Sequence, residues 1–254
     1  MKQIKCGMLE SPSSEKKDTT IVVHDLITGC TPTLGLSIKP KLGHPSTLLN
    51  ASQATNFTFK VQGKKMDEIE IFEFNAIKFN KSKIQSKIIF LEKEGFSFNF
   101  IGLDNEIFNS NLQMSDTFLP DIISVLLINY YLGFGPSIEE LTKILEKINP
   151  CNYNLEDGHS FYKYKIKLFL TNIALGMLPS KNWSGNFFAT GGYKVIKENG
   201  EVLCYHIYNL NEFQEYLFLN TKLETPSTTR HDFGYLYKYD DDLLIKLNLQ
   251  IRFK

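Results

Sequence analysis

An excess of charge of either sign is what this sequence lacks first. Lys and Arg together number 28, Asp and Glu also number 28, and the net charge is zero. A chain-wide basic surface of the kind that coats nucleic acid is thereby excluded, although a local basic cleft is not. Cysteine is scarce: Cys6, Cys30, Cys151 and Cys204 stand far apart with no CxxC pair, which argues against a zinc site or a disulfide framework. His24, His44, His159 and His206 show no ligand spacing. No glycine-rich phosphate loop, internal repeat, heptad or low-complexity linker is present. The opening MKQIKCGMLESPSS contains no continuous apolar stretch of the secretory kind. The most apolar run, FLPDIISVLLINYYLGFG at 118–135, is interrupted by Asp121 and Asn129 and reads as a buried helix rather than a membrane span. A cytoplasmic protein is the expectation.

What is present is a core-forming chain of 254 residues, 43% hydrophobic and 22% charged, soluble and globular in class. Period-two alternation predicts a strand over Thr19–His24, a turn through LITGCTPT and a partner strand over Leu34–Lys39. PSTLLNASQATNF reads as a loop with one helical turn. IEIFEFNAIKFN and KIIFLEKEGFSFNFIGL alternate apolar and polar residues and predict further strands. Helical periodicity takes over across 115–178. Ser115 or Asp116 is a candidate cap for the first helix, a Ser137/Glu140 capping box opens IEELTKILEKIN, and SFYKYKIKLFLTNIALGML makes a third helix. The last third returns to β: YKVIKENGEVLCYHIY predicts a hairpin with a type I′ turn at Asn199-Gly200, LNEFQEYLF a short helix, and LLIKLNLQIRF a single alternating strand. The pattern predicts an α+β fold in one domain over residues 1–254, with the helical segment 115–178 inserted between β-rich parts.

The first hairpin carries the polar residues of interest. With the turn centred on Gly29 and Cys30, Ile21 faces Ile38 and Val23 faces Leu36. Thr20 then faces Lys39, and Asp18, Ser37 and Lys39 share one face. A carboxylate, a hydroxyl and an ammonium converge at one end, where a carboxylate can hold Mg²⁺ beside a phosphate and a lysine can stabilise a pentacovalent transition state. A rim salt bridge worth less than about 1 kcal/mol is the plainer reading.

An aspartate opening one strand and a (D/E)xK-like ending on its partner resemble the PD-(D/E)xK nuclease signature. SSEKKDTTIVVHD, PTLGLSIKPKLGHPSTLLNASQATNF and ETPSTTRHDFGYLY are similar, more specifically, to HpaII-type type II restriction endonucleases, from about residue 10 to IKLNLQIRF. The resemblance implies a mixed-sheet nuclease core and Mg²⁺-dependent hydrolysis of double-stranded DNA at a short palindrome, C-C-G-G. It further implies a restriction-modification setting with a DNA methyltransferase as genetic partner, and a homodimer matching the palindrome. Asp18 falls at the metal-binding position, Lys39 at the signature lysine, and Ser37 where a second acid would stand. Glu10, Glu70 and Glu73 are the candidates for the missing carboxylate. Only seventeen residues precede Asp18, where family members carry a longer segment with a helix, so a member shortened at the N-terminus is expected. The alternative is a catalytically inactive remnant that only binds DNA, and a third reading is a protein-interaction domain.

Two polar segments are candidate DNA readers. Asn50, Ser52, Gln53 and Asn56 follow the hairpin directly, and Asn or Gln can pair bidentately with adenine, although a polar loop can equally satisfy its own backbone. Arg230 and His231 lie in a Ser/Thr-rich loop, and an arginine fork is the commonest reader of guanine. On the terminal strand, Lys246, Asn248, Gln250 and Arg252 share one face that could line a DNA groove, a solvated face being the plainer reading. Trp183 reads as packing.

Overall fold

The computed structural model describes residues 17–24, 29–40, 46–77, 83–196, 199–205 and 209–254. Its first sheet has the order β1 (Thr19–Val22), β2 (Thr33–Pro40), β6 (Gly192–Ile196), β7 (Val202–Tyr205). β2 is therefore an interior strand, antiparallel to β1 and parallel to β6. Gly35, Leu36 and Ser37 are buried and Ile38 is partly covered, as expected of a strand with a neighbour on each side rather than an edge. Parallel pairing requires a long crossover, here carrying most of the helices. The crossover returns closely: the Gly191 N–H donates to the Gly35 carbonyl at 2.6 Å, and a Cβ on Gly35 would lie 2.3 Å from the Phe188 carbonyl oxygen. Only glycine fits there.

The second sheet, in the order β5 (Ser97–Leu103), β4 (Asn56–Gln62), β10 (Asp242–Asn248), β9 (Leu236–Tyr239), is wholly antiparallel. Phe57, Phe59, Val61, Ile245 and Leu247 point into the core from one face. Lys60 and Lys246 stand on the other, paired with Asp242 and Asp104. A third sheet joins β3 (Thr47–Leu49), β11 (Ile251–Phe253) and β8 (Thr221–Leu223). The helical layer comprises α3 (Glu106–Ser115), α4 (Leu119–Tyr131), α5 (Ile138–Ile148) and α6 (Phe161–Leu175), with α7 (Leu210–Asn220) against α6. The fold is α+β, and no helix among the described residues is long and apolar enough to cross a membrane.

Several expectations fail. IEIFEFNA is not a strand but α1 (Glu68–Ala76), and KIIFLEK belongs to α2 (Lys83–Lys93). Ile71 and Phe74, three apart, are buried in α1 while Ile69 and Phe72 are exposed, and Ile84, Ile88 and Leu91 form the buried face of α2. The start of α1 is fixed by a capping box: the Glu70 N–H donates to Asp67 Oδ1 and the Asp67 N–H to Glu70 Oε2, each at 2.8 Å. α3 begins before the expected helical region. Neither Ser115 nor Asp116 caps α4, whose N-cap is Phe118 with no side-chain cap bond; Asp116 ends α3 and accepts from the Phe118 N–H at 3.0 Å. Ser137 is the N-cap of α5, but its side chain makes no cap bond. The β6–β7 connection is five residues long, because Ile196 pairs with Val202, so a two-residue type I′ turn does not form. LLIKLNLQIRF is divided between β10 and β11, in different sheets. Its polar residues are not a solvated face: Asn248 is 1% exposed, and Arg252 pairs with Glu224 at 2.8 Å. Trp183 packs against Phe187, as expected.

Candidate active site

The first hairpin has a different register from the one expected. Thr19 pairs with Leu36 and Val22 with Thr33, so the connection is longer than a tight turn at Gly29-Cys30; part of it, residues 25–28, lies outside the described residues. The pairing is displaced by four residues along β2. An even displacement keeps every side chain on its expected face, which is why the polar cluster survives. Asp18 now stands beside Ser37, its N–H donating to the Leu36 carbonyl at 2.8 Å. Its Oδ2 accepts from Ser37 Oγ at 3.0 Å and from the Ile38 N–H at 2.7 Å. Both bonds fall on one oxygen, which fixes the carboxylate plane and leaves Oδ1 for another ligand.

Lys39 lies two residues further along the same face. Its ammonium sits 5.4 Å from the centroid of the Tyr193 ring. Burial pulls the Lys39 pKa below the ordinary lysine value, and the Asp18 charge holds it partly up. Tyr193 was not singled out from the sequence. It faces Ser37 across the parallel pair, is fully buried, and donates from its hydroxyl to the Ala174 carbonyl at 3.0 Å. Burial raises the Tyr193 pKa strongly, with the Asp18 charge adding to it, so the phenol stays neutral. An aromatic in the strand GYKVI was its only sequence signal.

Among the described residues no three His, Cys, Asp or Glu side chains gather as a metal-binding group. Glu70 and Glu73 are not beside the hairpin on a strand but on α1, where Glu70 is a cap. Glu10 lies outside the described residues. One carboxylate with an adjacent hydroxyl still fits Mg²⁺, which commonly takes one or two carboxylates and fills its shell with water and substrate phosphate.

The two polar segments meet at the end of the second sheet. Asn50 and Gln53 are exposed. Ser52 precedes a single 3₁₀ turn over Gln53–Thr55, and its N–H donates to Thr55 Oγ1 at 3.2 Å. Asn56 is 1% exposed and its amide is used inside the protein: Oδ1 accepts from Asn248 Nδ2 at 2.7 Å, and Nδ2 donates to the His231 carbonyl at 3.0 Å. That corrects Asn56 from a base-reading candidate to a support. Arg230, exposed, and His231, half-buried, end the short helix α8 (Thr228–His231), which Asp232 closes with φ of +51°. Burial lowers the His231 pKa, and the Arg230 charge lowers it further. Gln53, Asn56, Asp104, Asn105, Asp232 and Lys246 line the cleft between the segments. Lys246 contacts Asp104 at 2.8 Å; burial works against its charge, but this carboxylate outweighs it and raises the pKa.

The family model of the HpaII restriction endonucleases matches residues 1–253. The type II restriction enzyme HpaII of Haemophilus parainfluenzae is 47% identical over 253 residues, covering 100% of this chain and 69% of that protein. No solved structure matches. With the family matched over nearly the whole length, the chain belongs to the HpaII restriction endonuclease family.

Proposed function

We propose that the protein is a type II restriction endonuclease that hydrolyses duplex DNA at the palindrome C-C-G-G in the presence of Mg²⁺, with Asp18 and Lys39 at the reacting phosphate. The observation that carries this is the convergence of Asp18, Ser37 and Lys39 on one face of the first hairpin, in a chain of this family. Asp18 would hold the ion through Oδ1 while Ser37 and the Ile38 N–H keep its carboxylate from rotating. The ion, when bound, neutralises phosphate charge and acidifies coordinated water. Lys39 donates from Nζ to a non-bridging phosphate oxygen, where charge builds as the pentacovalent state forms. A half-desolvated ammonium is worth more there than a hydrated one, because little water competes for the phosphate. Ser37 adds no charge but orients the Asp18 carboxylate.

Asn50, Gln53, Arg230 and His231 contact DNA in this reading, and Ser52 and Asn56 hold the first of these segments in shape. A two-fold site calls for a homodimer, with one hydrolytic centre per strand. A methyltransferase acting on the same sequence protects the cell's own DNA in the cytoplasm. That no three metal-ligating side chains gather among the described residues favours a second reading, selective DNA binding without cutting.

Unmethylated plasmid incubated with the folded protein in Mg²⁺ or in EDTA separates the two. Discrete fragments in Mg²⁺ alone, lost in Asp18→Asn and in Lys39→Ala, are expected. Intact plasmid refutes cleavage, and either variant cutting at the parent rate refutes the site.

A further inference from the structure

Outside the candidate active site, Asn248, the last residue of β10, is buried and makes three side-chain hydrogen bonds. Its Nδ2 donates to the Ser52 carbonyl and to Asn56 Oδ1, both at 2.7 Å, and its Oδ1 accepts from Thr55 Oγ1 at 3.4 Å. Its own carbonyl accepts from the hydroxyl of Tyr131, a fully buried residue of α4, at 3.0 Å. Asn56, cross-strand partner of Asn248, passes the connection on by donating to the carbonyls of His231 at 3.0 Å and Asp232 at 3.4 Å. A row of two amides thus ties the 50–56 loop and the 228–232 turn to one rigid strand and, through Tyr131, to the helical layer.

Both amide hydrogens of Asn248 and of Asn56 are used in this row. The geometry has a further consequence at Asp232, a non-glycine residue held at positive φ. Asn56 bonds the two carbonyls that flank this bend. The direction in which Arg230 projects is set by that bend, and the position of Gln53 by the Ser52 carbonyl. Both settings originate at one side chain.

We infer that Asn248 is a positioning residue for sequence discrimination, fixing the 50–53 loop and the 228–232 turn as a single reading element. This rests on the proposal that Gln53 and Arg230 meet DNA. Loss of the Asn248 donor leaves phosphate contacts in place, since these tolerate small displacements, but misaligns groups that must meet base edges. Discrimination then falls while affinity for unrelated DNA is kept.

The test uses Asn248→Asp, which preserves shape but replaces the amide donor with an acceptor facing two acceptors. Equilibrium affinities are measured in EDTA, independent of cleavage, for a C-C-G-G duplex and for one with a single pair exchanged. The expected result is a fall of at least tenfold in the affinity ratio with less than threefold change in binding to the exchanged duplex. Thr55→Val removes the bond to Asn248 Oδ1 together with the two bonds between Thr55 Oγ1 and the Ser52 backbone, so it too lowers the ratio, and it serves if Asn248→Asp does not fold. Leu145→Ala, in the core of α5, is a destabilised control whose ratio stays at the parent value. A parent-like ratio in both Asn248→Asp and Thr55→Val, with Arg230→Ala having lost its ratio, overturns the positioning role alone. A parent-like ratio in Arg230→Ala and Gln53→Ala overturns the reading beneath it, and the inference with it.

Discussion

Substitution of Ser37 by Asp tests the geometry of the hairpin directly. Ser37 is 2% exposed and its Oγ lies 3.0 Å from Asp18 Oδ2, so Ser37→Asp places a second carboxylate against the first. Two unit charges about 4 Å apart repel by about 1 kcal/mol in water and about 4 kcal/mol at the effective dielectric of a protein surface. Asp18 is exposed and Lys39 is close, so the cost falls inside that interval. With about 2–4 °C of melting temperature per kcal/mol for a chain of this size, the metal-free variant melts several degrees below the parent. Ser37→Asn has the same shape without the charge and isolates the steric cost. In EDTA at pH 8, Ser37→Asp is expected to melt below Ser37→Asn, and millimolar Mg²⁺ to close the gap by bridging the pair. Lowering the pH to 5 narrows it as well, because one of two adjacent carboxyls has a raised pKa and takes up a proton. Identical melting of the two variants, insensitive to Mg²⁺, would mean that Asp18 and Ser37 are not neighbours and that the expected register, four residues away, is the true one.

Other outcomes follow from the same structure. Burial lowers the Lys39 pKa and Asp18 opposes that shift, so Asp18→Asn lowers it further; a ¹³C NMR titration of the labelled lysine that moves upward refutes the contact. A lysine with a depressed folded-state pKa leaves the unfolded chain holding more protons between that value and the ordinary 10.5, so in that window its contribution makes stability rise with pH; Lys39→Met should flatten this rise in urea titrations. Tyr193→Phe keeps the ring beneath Lys39 but orphans the Ala174 carbonyl, costing about 1–3 kcal/mol with cleavage retained; lost activity in a folded variant contradicts it. Asp67→Ala removes the cap of α1 at a cost of about 0.5–2 kcal/mol. Glu73→Gln, on the same helix, leaves cleavage unchanged, and a thousandfold loss would return Glu73 to the site.

Much of the site was legible because strand periodicity is insensitive to an even error. Asp18, Ser37 and Lys39 were placed on one face from alternation alone, and a four-residue displacement left them there. The same periodicity misled at α1. Ile69/Ile71 and Phe72/Phe74 alternate within each pair, but the phase shifts between Ile71 and Phe72, which a strand does not allow, and the deciding signals were that shift and the Asp67/Glu70 box. Along β10 the alternation was read correctly, but alternation reports only which side a residue faces. It does not report what covers that side, so Asn248 appeared solvated when the 50–56 loop lies over it. Tyr193 was hidden because its neighbours in the hairpin, Ser37 and Lys39, are 156 and 154 residues away in sequence, across the parallel pair with β2.

The split of the terminal run between two sheets has a kinetic meaning. Closing a contact between Asn56 and Asn248, 192 residues apart, costs about 2 kcal/mol more chain entropy than closing Asp18 on Ser37, 19 apart. The first hairpin can therefore form early, and β10 and β11 dock late. Yet the late segment supplies more than Asn248. Phe253 of β11 lies against the ring of Tyr193, 6.4 Å between centroids, and so completes the floor beneath Lys39. On the proposed function, selectivity and chemistry both depend on the same dozen residues, and a partly synthesised or partly refolded chain lacks both together.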